Sequence, residues 1–179
     1  ADVTVFDVDV ARMRYIDEVW GGRIGTRFSS PLAVREACGE SDVVIGSVLV
    51  PGARTPHLVD HEMVLGMVPG SVLVDVAVDQ GGCFEDSHPT THADPTFVVG
   101  GSVFYCVANM PGAVPHTSTY ALTNATMRYV LLLADEGWRG ACGSRDDLRR
   151  GLATCGGKLV SAPVGEALGI ECVPVSEVL

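Results

Sequence analysis

The chain lacks the features that would place it in a membrane or on nucleic acid. No stretch approaches the ~18 consecutive apolar residues of a membrane span, and the first residues do not form a signal peptide pattern. Only 12 Lys and Arg residues stand against 22 Asp and Glu residues, and the resulting net charge of −10 leaves no basic excess for a phosphate backbone. With 47% apolar residues available for a packed core, we expect a globular cytoplasmic protein without membrane or nucleic-acid partners.

Patterns for metal binding and hydrolysis are also missing. Six cysteines are scattered without a Cys-x-x-Cys pair, so we expect reduced and mostly buried thiols, with disulfides or zinc as the alternative. His88 and His92 follow Cys83, but their spacing matches no common zinc ligand set. We therefore predict no metal site. No Gly-x-Ser-x-Gly segment occurs, so we do not predict a serine hydrolase either.

A glycine-rich phosphate-binding turn is missing ahead of the first predicted strand. Residues 1–7 are predicted to form a strand that ends at Asp7. In a dinucleotide-binding βαβ unit, the acid that closes the second strand binds the adenosine ribose and follows the glycine-rich turn by about 20 residues. We therefore expect the chain to start inside a Rossmann domain, after its first strand and phosphate turn. Helix capping is the alternative role for Asp7.

Apolar strands then alternate with amphipathic helices, which is typical of a parallel sheet covered on both faces. The predicted elements are a helix over Val10–Val19 ending at Gly21–Gly22, a strand closing at Thr26, a helix starting at Ser29–Pro31, a strand over Val43–Gly46, a helix over residues 60–67, and strands over Thr96–Val99 and Val103–Val107. The predicted fold class is α/β: a Rossmann-type doubly wound parallel sheet without its first strand and glycine-rich turn, followed by a helical C-terminal segment.

Residues 74–85 run from an apolar strand into two carboxylates and a glycine pair. The strand is predicted either over Ser71–Asp75 or over Val72–Val78, with Asp75 and Asp79 at or beyond its end. A loop in that place is where open α/β sheets bind ligands. Gly81 and Gly82 would permit a sharp turn or a close approach to a ligand. Asp75 fits either a cap or turn residue or an acid of the site.

Four long sequence segments resemble those of the alanine dehydrogenase family in order and spacing. They are Val44–Ala53, Asp79–Glu85 with Pro89–His92, Tyr105–Gly112 and Thr117–Thr126. The resemblance covers essentially the whole chain. The NAD-binding subunit of proton-translocating transhydrogenase is related and is the alternative.

The resemblance implies reversible oxidative deamination of L-alanine to pyruvate and ammonium, with NAD as the hydride acceptor. It implies an NAD-binding domain over residues 1–116 and the C-terminal part of a substrate domain over residues 117–179. The larger part of that domain, with the family's lysine and histidine, would precede this chain, and a homo-oligomer, by resemblance a hexamer, is expected. The transhydrogenase alternative would instead be a noncatalytic NAD(H)-binding module.

The resemblance also assigns roles to individual residues. Asp79 is the candidate catalytic residue, as an acid or base or as a carboxylate that stabilises charge on the nicotinamide, and Asn109 would contact the substrate or nicotinamide. The residues assigned to the cofactor are Asp7, Arg12, Ser29, Val48, Leu49, Val76, Asp79, Val107 and Met110. Structural alternatives stay open: a solvated charge for Arg12, a helix-start role for Ser29, turn chemistry for Asn109, and core packing for the apolar loop residues.

Overall fold

The computed structural model describes residues 1–50 and 53–179. Pro51 and Gly52, which belong to the loop predicted after the Val43–Gly46 strand, lie outside the described residues. The chain divides into two compact units: the first comprises Ala1–Val48 and Thr55–Ala108, and the second comprises Leu49–Arg54 and Asn109–Leu179. This division falls before the boundary predicted at residue 116, and the assignment of the two parts to cofactor and substrate stays a prediction.

The first unit contains the alternating elements that the sequence predicts. Its strands are β1 (Thr4–Asp7), β2 (Gly25–Phe28), β3 (Val43–Gly46), β4 (Val72–Asp75), β5 (Thr96–Val99) and β6 (Ser102–Tyr105). Its helices are α1 (Val10–Trp20), α2 (Pro31–Glu40) and α3 (His61–Leu65). The helix α1 ends where predicted, because Gly21 takes a left-handed conformation with φ 58° that glycine adopts without strain.

Two sheets form within this unit. β1 pairs in parallel with β2, and the larger sheet has the order β3-β4-β6-β5. Strands β3, β4 and β6 are parallel, which confirms the predicted sheet, whereas β5 runs antiparallel to β6. This reversal follows from Gly100 and Gly101, whose positive φ angles of 57° and 91° suit a two-residue hairpin turn.

Strands β1 and β3 each pair on one side only within the part of the chain that the structure describes. In the doubly wound strand order 3-2-1-4-5-6, the first strand lies between the two strands that correspond to β1 and β3. Val43 and Ile45 on β3 are 53% and 63% exposed, although their β-branched side chains are typical of a buried parallel strand. The open edges fit a Rossmann sheet whose first strand is not among these residues.

The core of the first unit lies on β4 and β6. Leu73 and Phe104 occupy registered positions on these neighbouring strands, and both side chains are fully buried. The Phe104 ring stacks on Phe97 with centroids 5.0 Å apart, and Phe84 meets it edge-on at 6.0 Å. Because Phe84 belongs to the segment after β4, this packing holds that segment against the sheet.

The second unit is mainly helical, as the sequence predicts for its C-terminal part. Its elements are α4 (Pro115–Ser144), α5 (Asp146–Arg150), β7 (Thr154–Cys155), β8 (Lys158–Leu159) and α6 (Ala162–Leu168). Helix α4 breaks at Gly137, which has φ 68° and ψ 166°. Several large apolar side chains along α4 are exposed: Tyr120, Leu122, Met127, Val130 and Leu131. Among the described helices, none is long and apolar enough to cross a membrane.

Candidate functional site

Asp7 and Ser29 lie side by side at the carboxyl ends of β1 and β2. The Ser29 amide donates a hydrogen bond to the Asp7 carbonyl oxygen at 2.9 Å, which joins the two strand ends. The Asp7 Oδ1 atom accepts from the Asp9 amide, also at 2.9 Å. Since ligands of open α/β sheets bind at this edge, the Asp7 carboxylate and the Ser29 hydroxyl are in place for a polar ligand.

The helix caps belong to neighbouring residues and not to these two. Asp9 caps α1, where its Oδ1 accepts from the amides of Ala11 and Arg12 at 2.9 and 3.1 Å. The hydroxyl of Ser30 caps α2. The prediction that Asp7 caps a helix is therefore wrong. The helix-start role considered for Ser29 belongs to Ser30. The Arg12 side chain is exposed in the first turn of α1, so both of its predicted roles stay open.

The segment after β3 is tied to the segment after β4. The carbonyl oxygen of Val48 accepts from the Thr55 hydroxyl at 3.4 Å, and the Thr55 amide donates to the Gln80 carbonyl oxygen at 2.8 Å. The Val48 side chain is half-buried. Leu49, which belongs to the second unit, is 63% exposed.

Strand β4 ends at Asp75, which confirms the shorter of the two predicted ends. The longer prediction, a strand over Val72–Val78, is wrong, because the Asp75 Oδ1 atom accepts from the Ala77 amide at 3.0 Å and turns the chain. Val76 is consequently 54% exposed, and Asp79 lies in a 3-10 helix over Val78–Gln80 with its side chain exposed. We call residues 76–87, from this turn to the far side of the glycine pair, the acidic loop.

Asp75 is the only carboxylate that is fully buried in the described part of the chain. Its Oδ2 atom accepts from the amide of Cys83 at 2.8 Å, the amide of Phe84 at 3.4 Å and the hydroxyl of Ser87 at 2.5 Å. A buried carboxylate requires such hydrogen bonds to offset the loss of solvation. The role of Asp75 as a turn residue is thus confirmed, and its bonds also reach the far end of the acidic loop.

Burial raises the pKa of the Cys83 and Cys106 thiols, and the nearby Asp75 carboxylate adds to the effect. Such thiols stay protonated and chemically inert at neutral pH. All six cysteines are free, as the sequence predicts. Within residues 1–50 and 53–179, no group of three or more His, Cys, Asp or Glu side chains is placed to hold a metal ion.

Two exposed histidines contact the acidic loop from outside. His57 Nε2 lies 3.3 Å from the Gly81 carbonyl oxygen. His61 Nδ1 lies 3.0 Å from both carboxylate oxygens of Asp86, and the hydrogen bond with Asp86 raises the pKa of His61. The His61 amide also donates to the Glu85 carboxylate at 2.9 Å. Both histidines are exposed.

The residues predicted at the nicotinamide and substrate end follow β6. Val107 is 1% exposed and forms a bridge with Thr90, which fits the core-packing alternative. Asn109 has φ 57° and ψ 52°, and it is the only non-glycine residue with positive φ in the described chain. Met110 is half-buried and begins a 3-10 helix. Both Asn109 and Met110 belong to the second unit, whereas Val107 belongs to the first, which ends at Ala108.

The parallel strands, the open edges of β1 and β3 and the acid that closes β1 define a Rossmann-type α/β domain of the dinucleotide-binding class. Comparison with protein families narrows this class. The chain belongs to the family described as alanine dehydrogenase/PNT, C-terminal domain, which matches residues 1–162.

Individual relatives agree with this family. The chain is 56% identical over 179 residues to the alanine dehydrogenase of Mycolicibacterium smegmatis, a match covering 100% of this chain and 48% of that protein. A solved L-alanine dehydrogenase is 46% identical with a TM-score of 0.81, over 94% of this chain and 46% of its own. A transhydrogenase from Sinorhizobium meliloti is 32% identical with a TM-score of 0.54, over 64% of this chain and 32% of its own. The chain thus spans about half the length of the curated relatives it matches.

Proposed function

We propose that the chain is the C-terminal half of an NAD-dependent alanine dehydrogenase, which interconverts L-alanine and pyruvate with ammonium. The carrying observation is the unbroken match of all 179 residues to a protein of that name at 56% identity. The transhydrogenase match is weaker and covers 64% of the chain. The position of Asp79 supports the proposal, because a catalytic carboxylate has to be accessible and this one is exposed beyond the carboxyl end of β4.

At the adenosine end of the cofactor, Asp7 accepts hydrogen bonds from the ribose hydroxyls in this proposal. Ser29 and Arg12 contact the same end of the cofactor. The structure fits this role because Asp9 caps α1 and leaves the Asp7 carboxylate at the strand end. A carboxylate there accepts from a free ribose hydroxyl and repels a ribose phosphate, so we propose NAD as the cofactor in preference to NADP.

At the reacting end, NAD when bound accepts the hydride from the substrate carbon. Asp79 then takes up or returns a proton, or it stabilises positive charge on the nicotinamide, and the exposed position allows either role. Asn109 contacts the substrate or nicotinamide in this proposal. The apolar residues assigned to the cofactor are Val48, Leu49, Val76, Val107 and Met110.

The complete protein is proposed to contain a preceding half of similar length. That half supplies the lysine and histidine that bind the substrate carboxylate and handle protons, and it completes the substrate domain begun in residues 117–179. We propose a cytoplasmic homo-oligomer, a hexamer as in the family.

Asp7→Ala in the full-length protein should weaken NAD binding and relax discrimination against NADP, because the ribose hydroxyls lose their acceptor and a phosphate loses its repulsion. The dissociation constants of both cofactors, measured by fluorescence titration, check this. Asp17→Ala is the matched control, since it removes another exposed acid, on α1, that is not assigned to the cofactor. Unchanged NAD affinity and unchanged discrimination in Asp7→Ala would show that the assignment is wrong.

The second candidate is an NAD(H)-binding module of the transhydrogenase type, which the similarity to the Sinorhizobium meliloti protein favours. Such a module binds the same cofactor and passes hydride to a partner protein. The two candidates differ in their substrate, so formation of NADH that depends on added alanine separates them.

A further inference from the structure

We propose that Asp75 is a positioning residue that, together with Ser87, holds Asp79 in the place where it acts. The inference rests on the proposed function. From the sequence, Asp75 could be either a turn residue or an acid of the site, and the proposal gives it a role in positioning Asp79.

The four hydrogen bonds of Asp75 close the acidic loop at both ends. Oδ1 accepts from Ala77, where the loop leaves β4, and Oδ2 accepts from Cys83 and Ser87, where the loop returns. Asp79 lies between these two anchors, on the single turn of 3-10 helix. Because no solvent reaches Asp75, the protein donors alone satisfy its charge, and the loop ends are bound to it by charge-assisted bonds.

The packing is tight where the acidic loop returns to Asp75 and to the sheet. A Cβ atom at Gly82, which has φ +81°, would lie 2.8 Å from Asp75 Oδ2 and 2.9 Å from Ser87 Cβ. A Cβ atom at Gly46, at the end of β3, would lie 2.6 Å from the Cβ of Cys83. Glycine is therefore required at both positions, and the base of the loop is fixed against the sheet.

When a hydrogen bond to Asp75 is lost, the acidic loop can shift, and the Asp79 carboxylate shifts with it. A displacement of about 1 Å at a reacting group lowers the rate by up to about 100-fold. Removing one of the bonds to Asp75 should therefore lower kcat while leaving the affinity for NAD(H) nearly unchanged, because only Val76 and Asp79 among the residues assigned to the cofactor belong to the acidic loop.

Ser87→Ala in the full-length protein is the decisive variant, because Ser87 is half-buried and the substitution removes one bond while keeping the buried charge and its amide donors. We expect kcat with alanine and NAD to fall about tenfold, with the dissociation constant of NADH changed less than about twofold. Ser71→Ala is the matched control: it removes another buried hydroxyl bond of the same sheet, the 3.0 Å contact between the Ser71 and Ser102 hydroxyls. It should lower the thermal stability by a similar amount and leave kcat intact.

A double-mutant cycle then tests whether Ser87 acts through Asp79. In an Asp79→Asn background, Ser87→Ala should change the residual kcat less than about twofold, because its single-variant effect passes through the carboxylate that is gone. Equal losses in both backgrounds, an intact kcat in Ser87→Ala, or an equal loss in Ser71→Ala would each overturn the proposal. If the residual rate of Asp79→Asn is too low to measure, the comparison of kcat with NADH affinity across the two serine variants decides.

Amide hydrogen exchange of residues 76–87 separates this proposal from the proposed function. Loss of one hydrogen bond should speed exchange there about tenfold in Ser87→Ala and not in Ser71→Ala. If the wild-type protein forms no NADH from alanine while amide exchange responds in this way, the proposed alanine dehydrogenase activity is wrong. The anchoring of the acidic loop by Asp75 and Ser87 is then still supported. Unchanged exchange in an active Ser87→Ala protein would overturn the positioning role alone.

Discussion

The 179-residue polypeptide on its own should form no NADH from alanine and NAD. β1 and β3 each have an edge that no strand of the described residues pairs, and the proposed cofactor domain needs a further strand and a phosphate turn to bind the dinucleotide. The lysine and histidine that the resemblance places in the preceding half would also be missing. A spectrophotometric assay of the purified polypeptide, with the full-length protein as control, checks this. Turnover comparable to that of the full-length protein would mean that residues 1–179 contain every required group.

The same polypeptide should be poorly soluble when it is expressed alone. Val43 and Ile45 lie exposed on the open edge of β3, and an unpaired strand edge with apolar side chains favours pairing between chains. Coexpression with the preceding half should restore solubility if that half supplies the missing strand. Light scattering of both preparations measures the difference, and a monodisperse solution of the isolated polypeptide would contradict the expectation.

Asp79→Asn in the full-length protein should lower kcat by ~100-fold or more, the usual contribution of a general acid or base. The carboxylate lies exposed on a single 3-10 turn, so its replacement by an amide should leave the melting temperature nearly unchanged. Steady-state kinetics and thermal unfolding of the same preparation give both quantities. Asp42→Asn, which alters another exposed acid at the amino end of β3, is the control and should retain full activity.

Proportional losses of activity and stability in Asp79→Asn would instead indicate a structural role. The pH dependence of kcat adds a further criterion. Loss of a titrating limb in the variant would favour acid or base catalysis, whereas a uniform decrease across pH would favour electrostatic stabilisation of the nicotinamide.

The elements of the first unit could be predicted because their signals are local. Gly21 ends α1, proline follows the cap of α2, and apolar β-branched runs mark β3 and β4. The Gly100–Gly101 pair between two apolar runs carried a further signal, since it is typical of the hairpin that turns β5 antiparallel to β6.

The acidic loop could not be predicted, because its structure depends on bonds between residues that are distant in sequence. Asp75 contacts Cys83 and Ser87, and no local pattern around Ser87 indicates that its hydroxyl reaches a buried carboxylate. The apolar character of Val76 and Val78 favoured a longer strand, and the side chain of Asp75 overrides it by capturing the Ala77 amide. That contact is a local turn, so an end at Asp75 was within reach of the sequence, whereas the bonds from Asp75 to Cys83 and Ser87 were not.

The assignment of caps shows the same difference at shorter range. A polar residue after a strand predicts a cap, but two candidates often stand side by side, as Asp7 and Asp9 do before α1. The structure gives the cap to Asp9 and leaves Asp7 at the strand end, which is the distinction on which the proposed ribose contact depends. From the sequence, both the ribose contact and the cap were open to Asp7, and the hydrogen bonds from Ala11 and Arg12 to the Asp9 side chain separate the two roles.

The most direct test of the proposed function is the initial rate of NADH formation by the full-length protein with NAD, in the presence and absence of L-alanine. We predict formation of NADH that requires alanine and yields pyruvate and ammonium in equal amounts, and the reverse reaction when pyruvate, ammonium and NADH are supplied. A protein that binds NAD and NADH yet forms no NADH from alanine would contradict the proposal and would favour the transhydrogenase-type module.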